Sequence, residues 1–197
     1  MFVGIIIQYR KYRKTIFYKC YNCVYIWFMI RFFKILIFIS ALCFSFKINA
    51  NVSARVVRVK DGDTYVFRKG NTDFTVRLKN VDAPELKQAF GYLSFVYTSK
   101  LILGKIVLYD STGKDIYGRV LADVWISNQR LDSTLIRNGW AWHYQTYSND
   151  TLLKSMMVLA INENIGLWKC GMIGVCPPSF WRSYNLKNRS KFCSGCK

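Results

Sequence analysis

Histidine is nearly absent from this 197-residue chain, which has His143 and no other. Zinc hydrolases that hold their metal through several histidines are therefore excluded, and so are enzymes that act through a histidine pair. His143 lies in an aromatic run, residues 140–147, and is interpreted as a structural residue. The chain also has no internal repeat and no low-complexity linker.

Acidic residues are scarce too. The chain has 11 Asp and Glu against 29 Lys and Arg, a formal net charge of +18, and residues 1–50 contain no acidic residue at all. A surface with this excess of positive charge attracts polyanions, so nucleic acid and anionic membranes are the default partners.

The N-terminal fifty residues have the order of segments found in an export signal. Residues 35–46 are uncharged and apolar, basic residues precede them, and the small residues Ala50 and Ala54 follow. Twelve residues are too few for a comfortable membrane span. We therefore expect a protein exported to the periplasm, cell envelope or medium, with cleavage near Ala50 or Ala54.

Two alternatives for this region stay open. Met29 directly precedes the signal-like unit, so residues 1–28 are either an upstream extension or part of the protein. Residues 21–46 are alternatively an uncleaved anchor that associates the protein with a membrane.

The cysteines are consistent with an oxidising compartment. Three of the seven precede the expected cleavage site, and an even number remain near the C-terminus. These four are expected to form two disulfides, with a zinc site as the alternative. They are Cys170, Cys176, Cys193 and Cys196.

Hydrophobic periodicity from residue 54 onward predicts a small barrel. Five short β-rich segments, with a helix after the third and two more helices later, suggest a mixed α+β domain built on a five-stranded OB-fold barrel. In the third strand Phe74, Val76 and Leu78 alternate with polar residues, so Arg77 is expected to point away from the core. The helix after it is expected to bury a face that runs from Ala89 to Leu101.

Four of the acidic residues are expected to meet at one end of this barrel. Asp61 and Asp63 lie in the turn after the first strand, and Asp82 and Glu85 follow the third. Converging carboxylates in a basic protein favour a hard divalent cation, Ca²⁺ or Mg²⁺. Arg77 at the same end, together with Arg119 at the start of the fifth strand, suits a phosphodiester, whose oxygens guanidinium groups bind bidentately.

These residues fall within three motifs that resemble the staphylococcal nuclease family in order and approximate spacing. The motifs are residues 59–64 (VKDGDT), 77–85 (RLKNVDAPE) and 115–119 (DIYGR). The resemblance covers roughly residues 54–170. It divides the chain into an N-terminal extension with signal or anchor (1–50), a nuclease domain (51–170) and a basic, cysteine-containing tail (171–197).

The resemblance implies an OB-fold enzyme, a monomer, that cleaves DNA and RNA with one Ca²⁺ ion and leaves 3′-phosphate ends. Its metal ligands would be the carboxylates of Asp63 and Asp82 and the backbone carbonyl of Ala83, with Asp61 in the outer shell. Glu85 would position or deprotonate the attacking water. The phosphate would be bound by Arg77 and Arg119, and the substrate would also contact Tyr117 and Tyr147.

The main alternative is a non-catalytic OB-fold module that binds nucleic acid at the cell envelope. Retention of the acidic residues together with both arginines argues against it. The tail lies outside the resemblance, and the sequence indicates no function for it.

Overall fold

The computed structural model describes residues 28–35, 52–172 and 174–195. The chain divides into two compact units, residues 1–50 and 51–197. In the first unit, residues 28–35 are helical and exposed. Among the described residues, no helix has the length and apolar character needed to cross a membrane. The expected signal run lies almost entirely outside the described ranges.

Five strands of the second unit close into a barrel, as predicted. Consecutive strands in the sheet pair antiparallel, and one parallel pairing closes the barrel. The sheet order is β3-β2-β1-β5-β6-β7, and a parallel pairing of β3 with β6 closes the circle. The strands are β1 (Val52–Val59), β2 (Thr64–Lys69), β3 (Thr72–Leu78), β5 (Ile106–Lys114) and β6 (Val120–Ile126), with β7 (Gln129–Arg130) as an extension.

A second, two-stranded sheet lies beside the barrel, in which β4 pairs antiparallel with β8. Helices and short elements fill the connections and the C-terminal part. They are β4 (Val81–Asp82), α1 (Gly91–Ile102), α2 (Leu131–Arg137), β8 (Trp142–His143), α3 (Thr151–Asn162), a 3-10 turn (Gly166–Trp168), β9 (Lys169–Met172), α4 (Pro178–Ser183) and α5 (Leu186–Phe192).

The barrel interior holds the alternating apolar residues of the strands. Val76 and Leu78 in β3 are fully buried and Phe74 packs against the same core, which confirms the period-two prediction for this strand. Arg77 lies on the opposite face, where it is covered by acidic side chains rather than by solvent.

The predicted buried face of α1 is wrong in part, since Tyr97 and Leu101 pack partly buried against the core as expected but Leu93 does not. Leu93 is half exposed, and the buried positions of the helix are instead Gly91, Ser94, Thr98 and Ile102. Small and polar residues occupy this face because α1 packs directly on the β1–β2 turn, where the Thr98 hydroxyl donates to the Gly62 carbonyl at 3.4 Å. A helix this close to backbone leaves no room for larger apolar side chains.

The C-terminal tail contains two short helices. It contains α4 and α5, and a disulfide joins Cys176, before α4, to Cys193, after α5. Cys170 is also disulfide-bonded. These bonds replace the zinc alternative for those three cysteines, and Cys196 lies outside the described residues.

Candidate active site

Two buried aspartates share one arginine at the end of the barrel. Asp63, just before β2, is 5% exposed and Asp82, in β4, is 3% exposed. Arg77 in β3 forms an ion pair with Asp63 through Nη1, and its Nη2 donates to Asp82 Oδ1 at 2.9 Å. The predicted meeting of the two acidic loops is therefore present, with a guanidinium group between them.

Strand pairing places these groups. Thr64 lies opposite Arg77 in the β2–β3 ladder, and the Leu78 N–H donates to the Asp63 carbonyl at 2.8 Å. The Asp63 carboxylate in turn accepts from the Ala83 N–H at 2.6 Å and from the Thr64 hydroxyl at 3.0 Å. The turn before β2 is thus joined to the segment after β3 by the side chain of Asp63.

Asp61 adjoins this pair as an outer member, since its Oδ1 accepts from the Asp63 N–H at 3.0 Å. Burial first, and the Asp63 carboxylate second, raise the pKa of Asp61 to about 7. The same two causes raise the pKa of Asp82. Burial opposes the charge of Arg77, but Asp63 and Asp82 hold the pKa of its guanidinium above the ordinary value. The site therefore holds more negative charge than Arg77 alone compensates.

Glu85 belongs to the same group through a residue that sequence reasoning missed. Arg182, in the tail helix α4, donates to Glu85 Oε1 at 2.8 Å and to Asp82 Oδ2 at 3.2 Å. No sequence signal pointed to it, because Arg182 lies 97 residues from Glu85 and outside every motif. Glu85 is itself held against α1, because a Cβ added at Gly91 would lie 1.8 Å from the Glu85 carbonyl oxygen.

Arg119 lies directly before β6, the strand that pairs with the strand of Arg77. Arg77 pairs with Leu121 in the parallel β3–β6 ladder, and Arg119 precedes Leu121 by two residues. Arg119 Nε donates to Asp115 at 2.7 Å, and its guanidinium lies 5.4 Å from the centre of the Tyr117 ring. Asp115 also accepts from the backbone N–H groups of Tyr117 and Arg119, which fixes the loop.

Two predicted aromatic contacts are exposed. Tyr117 is 77% and Tyr147 is 76% exposed, so both rings are open to a ligand. Tyr147 stacks at a tilt on Tyr144, with 4.8 Å between the ring centres. Burial and then the charge of Asp82 raise the pKa of Tyr144, whose backbone N–H donates to the Asn80 carbonyl at 2.8 Å, two residues before Asp82. His143 is buried beside β4 in a structural position.

The donor set fits a hard cation that keeps part of its water shell. In the part of the chain that the structure describes, no cluster of three or more His, Cys, Asp or Glu side chains is arranged around a metal position. Two buried carboxylates, Asp63 and Asp82, do converge on Arg77, and the Ala83 N–H donates to Asp63. Ca²⁺ and Mg²⁺ accept carboxylate, backbone carbonyl and water oxygens together, so this set suits either ion.

Comparison with known proteins identifies the class of this fold and site. A sequence profile described as "Staphylococcal nuclease homologue" matches residues 75–170. A protein of Haemophilus influenzae named an uncharacterized endonuclease is 39% identical over 131 residues, 66% of this chain and 72% of that protein. One of Escherichia coli with the same name is 35% identical over 134 residues, 68% of this chain and 86% of that one.

A plant protein extends the likeness. A staphylococcal-like nuclease of Arabidopsis thaliana is 28% identical over 95 residues, 48% of this chain and 29% of that protein. With the barrel, the profile match and the bacterial relatives together, the chain belongs to the staphylococcal nuclease family.

Proposed function

We propose that the protein is a calcium-dependent nuclease that hydrolyses phosphodiester bonds of DNA and RNA and leaves 3′-phosphate ends. The observation that carries the proposal is the convergence of Asp63 and Asp82 on Arg77, with Arg119 directly before the neighbouring strand β6. Two carboxylates together with one nearly buried and one partly exposed guanidinium group suit a phosphate bound next to a cation. Bacterial relatives named endonucleases support the same chemistry.

The metal would be held by the carboxylates of Asp63 and Asp82 and the backbone carbonyl of Ala83, with Asp61 in the outer shell. When bound, Ca²⁺ would polarise a phosphate oxygen and offset the charge that develops in the transition state. Burial keeps the two aspartates in a setting of low dielectric, where a cation interacts with them more strongly than in water.

Arg77 and Arg119 would bind the phosphate oxygens. Arg77 is nearly buried and fixed by two carboxylates, so it supplies a rigid contact. Arg119 is more exposed and is oriented by Asp115 and Tyr117. The exposed rings of Tyr117 and Tyr147 would contact the nucleotide, and stacking on an aromatic ring tolerates any base.

Glu85 would position or deprotonate the attacking water. Its side chain is 39% exposed, so water reaches it, and its carboxylate is held 2.8 Å from Arg182 Nη1. A carboxylate is the remaining type of base in a chain whose single histidine is buried beside β4.

The disulfide between Cys176 and Cys193 indicates an oxidising compartment. We propose that the protein reaches it by export through the N-terminal signal, as a secreted or envelope-held monomer, with residues 21–46 as a membrane anchor in the uncleaved form.

The proposal is tested by digesting plasmid DNA and RNA with Ca²⁺ and with chelator. Cleavage is expected only with Ca²⁺, and Glu85→Gln and Arg119→Ala are expected to lower the rate by about 10²- to 10⁴-fold, the contribution of a positioned catalytic group. Arg137→Ala is the matched control. It removes an arginine whose ion pair with Glu163 is exposed to a similar degree as the ion pair between Arg182 and Glu85. Undiminished cleavage in chelator would overturn the metal mechanism. Binding of DNA without cleavage would favour the non-catalytic module.

A further inference from the structure

The C-terminal tail is built onto the segment that carries Glu85. The disulfide between Cys176 and Cys193 spans 17 positions and encloses both α4 and α5. The Cys176 carbonyl accepts from Gln88 Nε2 at 2.6 Å, and a Cβ added at Gly195 would touch the Ala89 methyl at 2.7 Å. The two ends of the disulfide-closed tail thus rest on residues 88–89, three and four positions after Glu85.

Gln88 connects this tail to the backbone of Glu85. Its side chain is 5% exposed, and while its Nε2 donates to Cys176, its Oε1 accepts from the Glu85 N–H at 3.2 Å. A buried amide that satisfies one group on each side fixes their separation, because loss of either bond leaves a buried polar group unpaired.

Arg182 connects the tail to the Glu85 side chain. One guanidinium group donates to Glu85 through Nη1 and to Asp82 through Nη2, so it fixes the distance between those two carboxylates. A planar fork with two donors can hold two carboxylates in this way, whereas a lysine ammonium is a point charge.

The helix that bears Arg182 is fixed from within the tail. Arg189 in α5 donates to the Trp181 carbonyl at 2.7 Å, and its guanidinium lies 5.0 Å from the centre of the Trp181 ring. The same side chain reaches the Arg182 carbonyl at 3.5 Å. These contacts and the disulfide give Arg182 a defined position although its side chain is 46% exposed.

We propose that the tail completes the active site, with Arg182 as a positioning residue that holds Glu85 in place relative to the metal ligand Asp82. This inference rests on the proposed nuclease function and deepens it. The tail acts on Glu85 twice, on its backbone through Gln88 and on its carboxylate through Arg182. Removal of Arg182 also removes a positive charge beside the metal ligands, so it should not weaken Ca²⁺ binding.

The test is steady-state cleavage of a fluorescent DNA oligonucleotide by the full chain, across a Ca²⁺ titration. Arg182→Ala is expected to lower kcat by about 10- to 100-fold, the usual effect of removing an outer partner of a ligating carboxylate. KM should change by less than about threefold, because no ground-state contact to substrate is lost. The Ca²⁺ concentration for half-maximal activity should stay the same or fall. Arg182→Lys should recover only part of kcat.

Arg137→Ala is the matched control. A urea unfolding curve for each variant separates a site effect from loss of folding. Arg182→Gln serves as a second replacement at the same position. An unchanged kcat in folded Arg182→Ala would overturn the inference while Glu85→Gln remains inactive, and the nuclease proposal would survive. A raised kcat would show that the tail inhibits, and an effect confined to KM would show that Arg182 contacts substrate. Either result would overturn the proposal that Arg182 positions Glu85. A parent protein without Ca²⁺-dependent cleavage would overturn both proposals.

Discussion

The barrel and the tail reach the same carboxylates by different physical means. The barrel places Asp63 and Arg77 through the β2–β3 ladder, the adjoining β4–β8 pair places Asp82, and these side chains are nearly buried. The tail has no strand in that sheet and approaches through one half-exposed arginine, one buried amide and a disulfide. A site can therefore have a rigid part, specified by the fold, and a second part whose position depends on a few separable bonds.

The first and largest effect should come from the rigid part. Arg77→Ala leaves Asp63 buried without its cation and Asp82 paired with Arg182 alone. Breaking a buried ion pair in this way typically costs about 3–5 kcal/mol. Urea unfolding in chelator should show this loss, and Ca²⁺ should restore part of it because it replaces the missing charge. Arg77→Lys, which keeps the charge, should fall between. A loss below about 1 kcal/mol would place the pair among weak surface ion pairs.

The second prediction concerns the attachment of the tail. The double variant Cys176→Ser, Cys193→Ser opens a loop whose closure contributes about 3 kcal/mol. We expect faster proteolysis of residues 174–195 and reduced cleavage activity, with little change in unfolding of the barrel. Limited proteolysis with mass spectrometry and the nuclease assay measure the two effects. Full activity in a variant whose tail is cut would contradict a role for the tail in the site.

The third prediction tests the close packing of the Glu85 backbone against α1. Gly91→Ala places a methyl group 1.8 Å from the Glu85 carbonyl, and backbone cannot move as freely as a side chain. Overpacking of this kind costs about 1–3 kcal/mol, and the shift of Glu85 should lower kcat more than it raises KM. Leu93→Ala, at a half-exposed position of the same helix, is the control. Equal kcat and KM values for the two variants would show that cleavage does not depend on the packing of Glu85 against α1.

The smallest effect is expected at the phosphate-facing loop. Asp115 and Arg119 form a partly exposed ion pair at the barrel surface, so Asp115→Ala should loosen the loop at a cost of about 1 kcal/mol, as for surface ion pairs. KM for DNA should rise by less than about fivefold, with kcat nearly unchanged. A large loss of kcat would show that Asp115 does more than orient Arg119.

The barrel was predictable from the sequence because strand alternation and motif order are local signals. Phe74, Val76 and Leu78 define one buried face, and the DGDT turn lies where β2 begins. The buried face of α1 was not predictable, because close packing on Gly62 replaces apolar residues with Ser94 and Thr98. Periodicity of hydrophobic residues cannot reveal the buried positions of a helix when small and polar residues occupy several of them.

The site was predictable in part for the same reason. Asp63, Asp82 and Arg77 lie in motifs that the strand ladder brings together, whereas Arg182 meets Glu85 only through tertiary folding of the tail. The four cysteines predicted disulfide bonds in the tail, but cysteine spacing does not show which residues a disulfide-bonded segment contacts. A contact across 97 residues carries no local sequence signal.

End-group analysis of labelled DNA and RNA oligonucleotides across a Ca²⁺ titration tests the central claim most directly. The account predicts products with 3′-phosphate and 5′-hydroxyl ends, formed in proportion to Ca²⁺ occupancy and abolished by chelator. Cleavage that continues without metal, or products with 5′-phosphate ends, would contradict it.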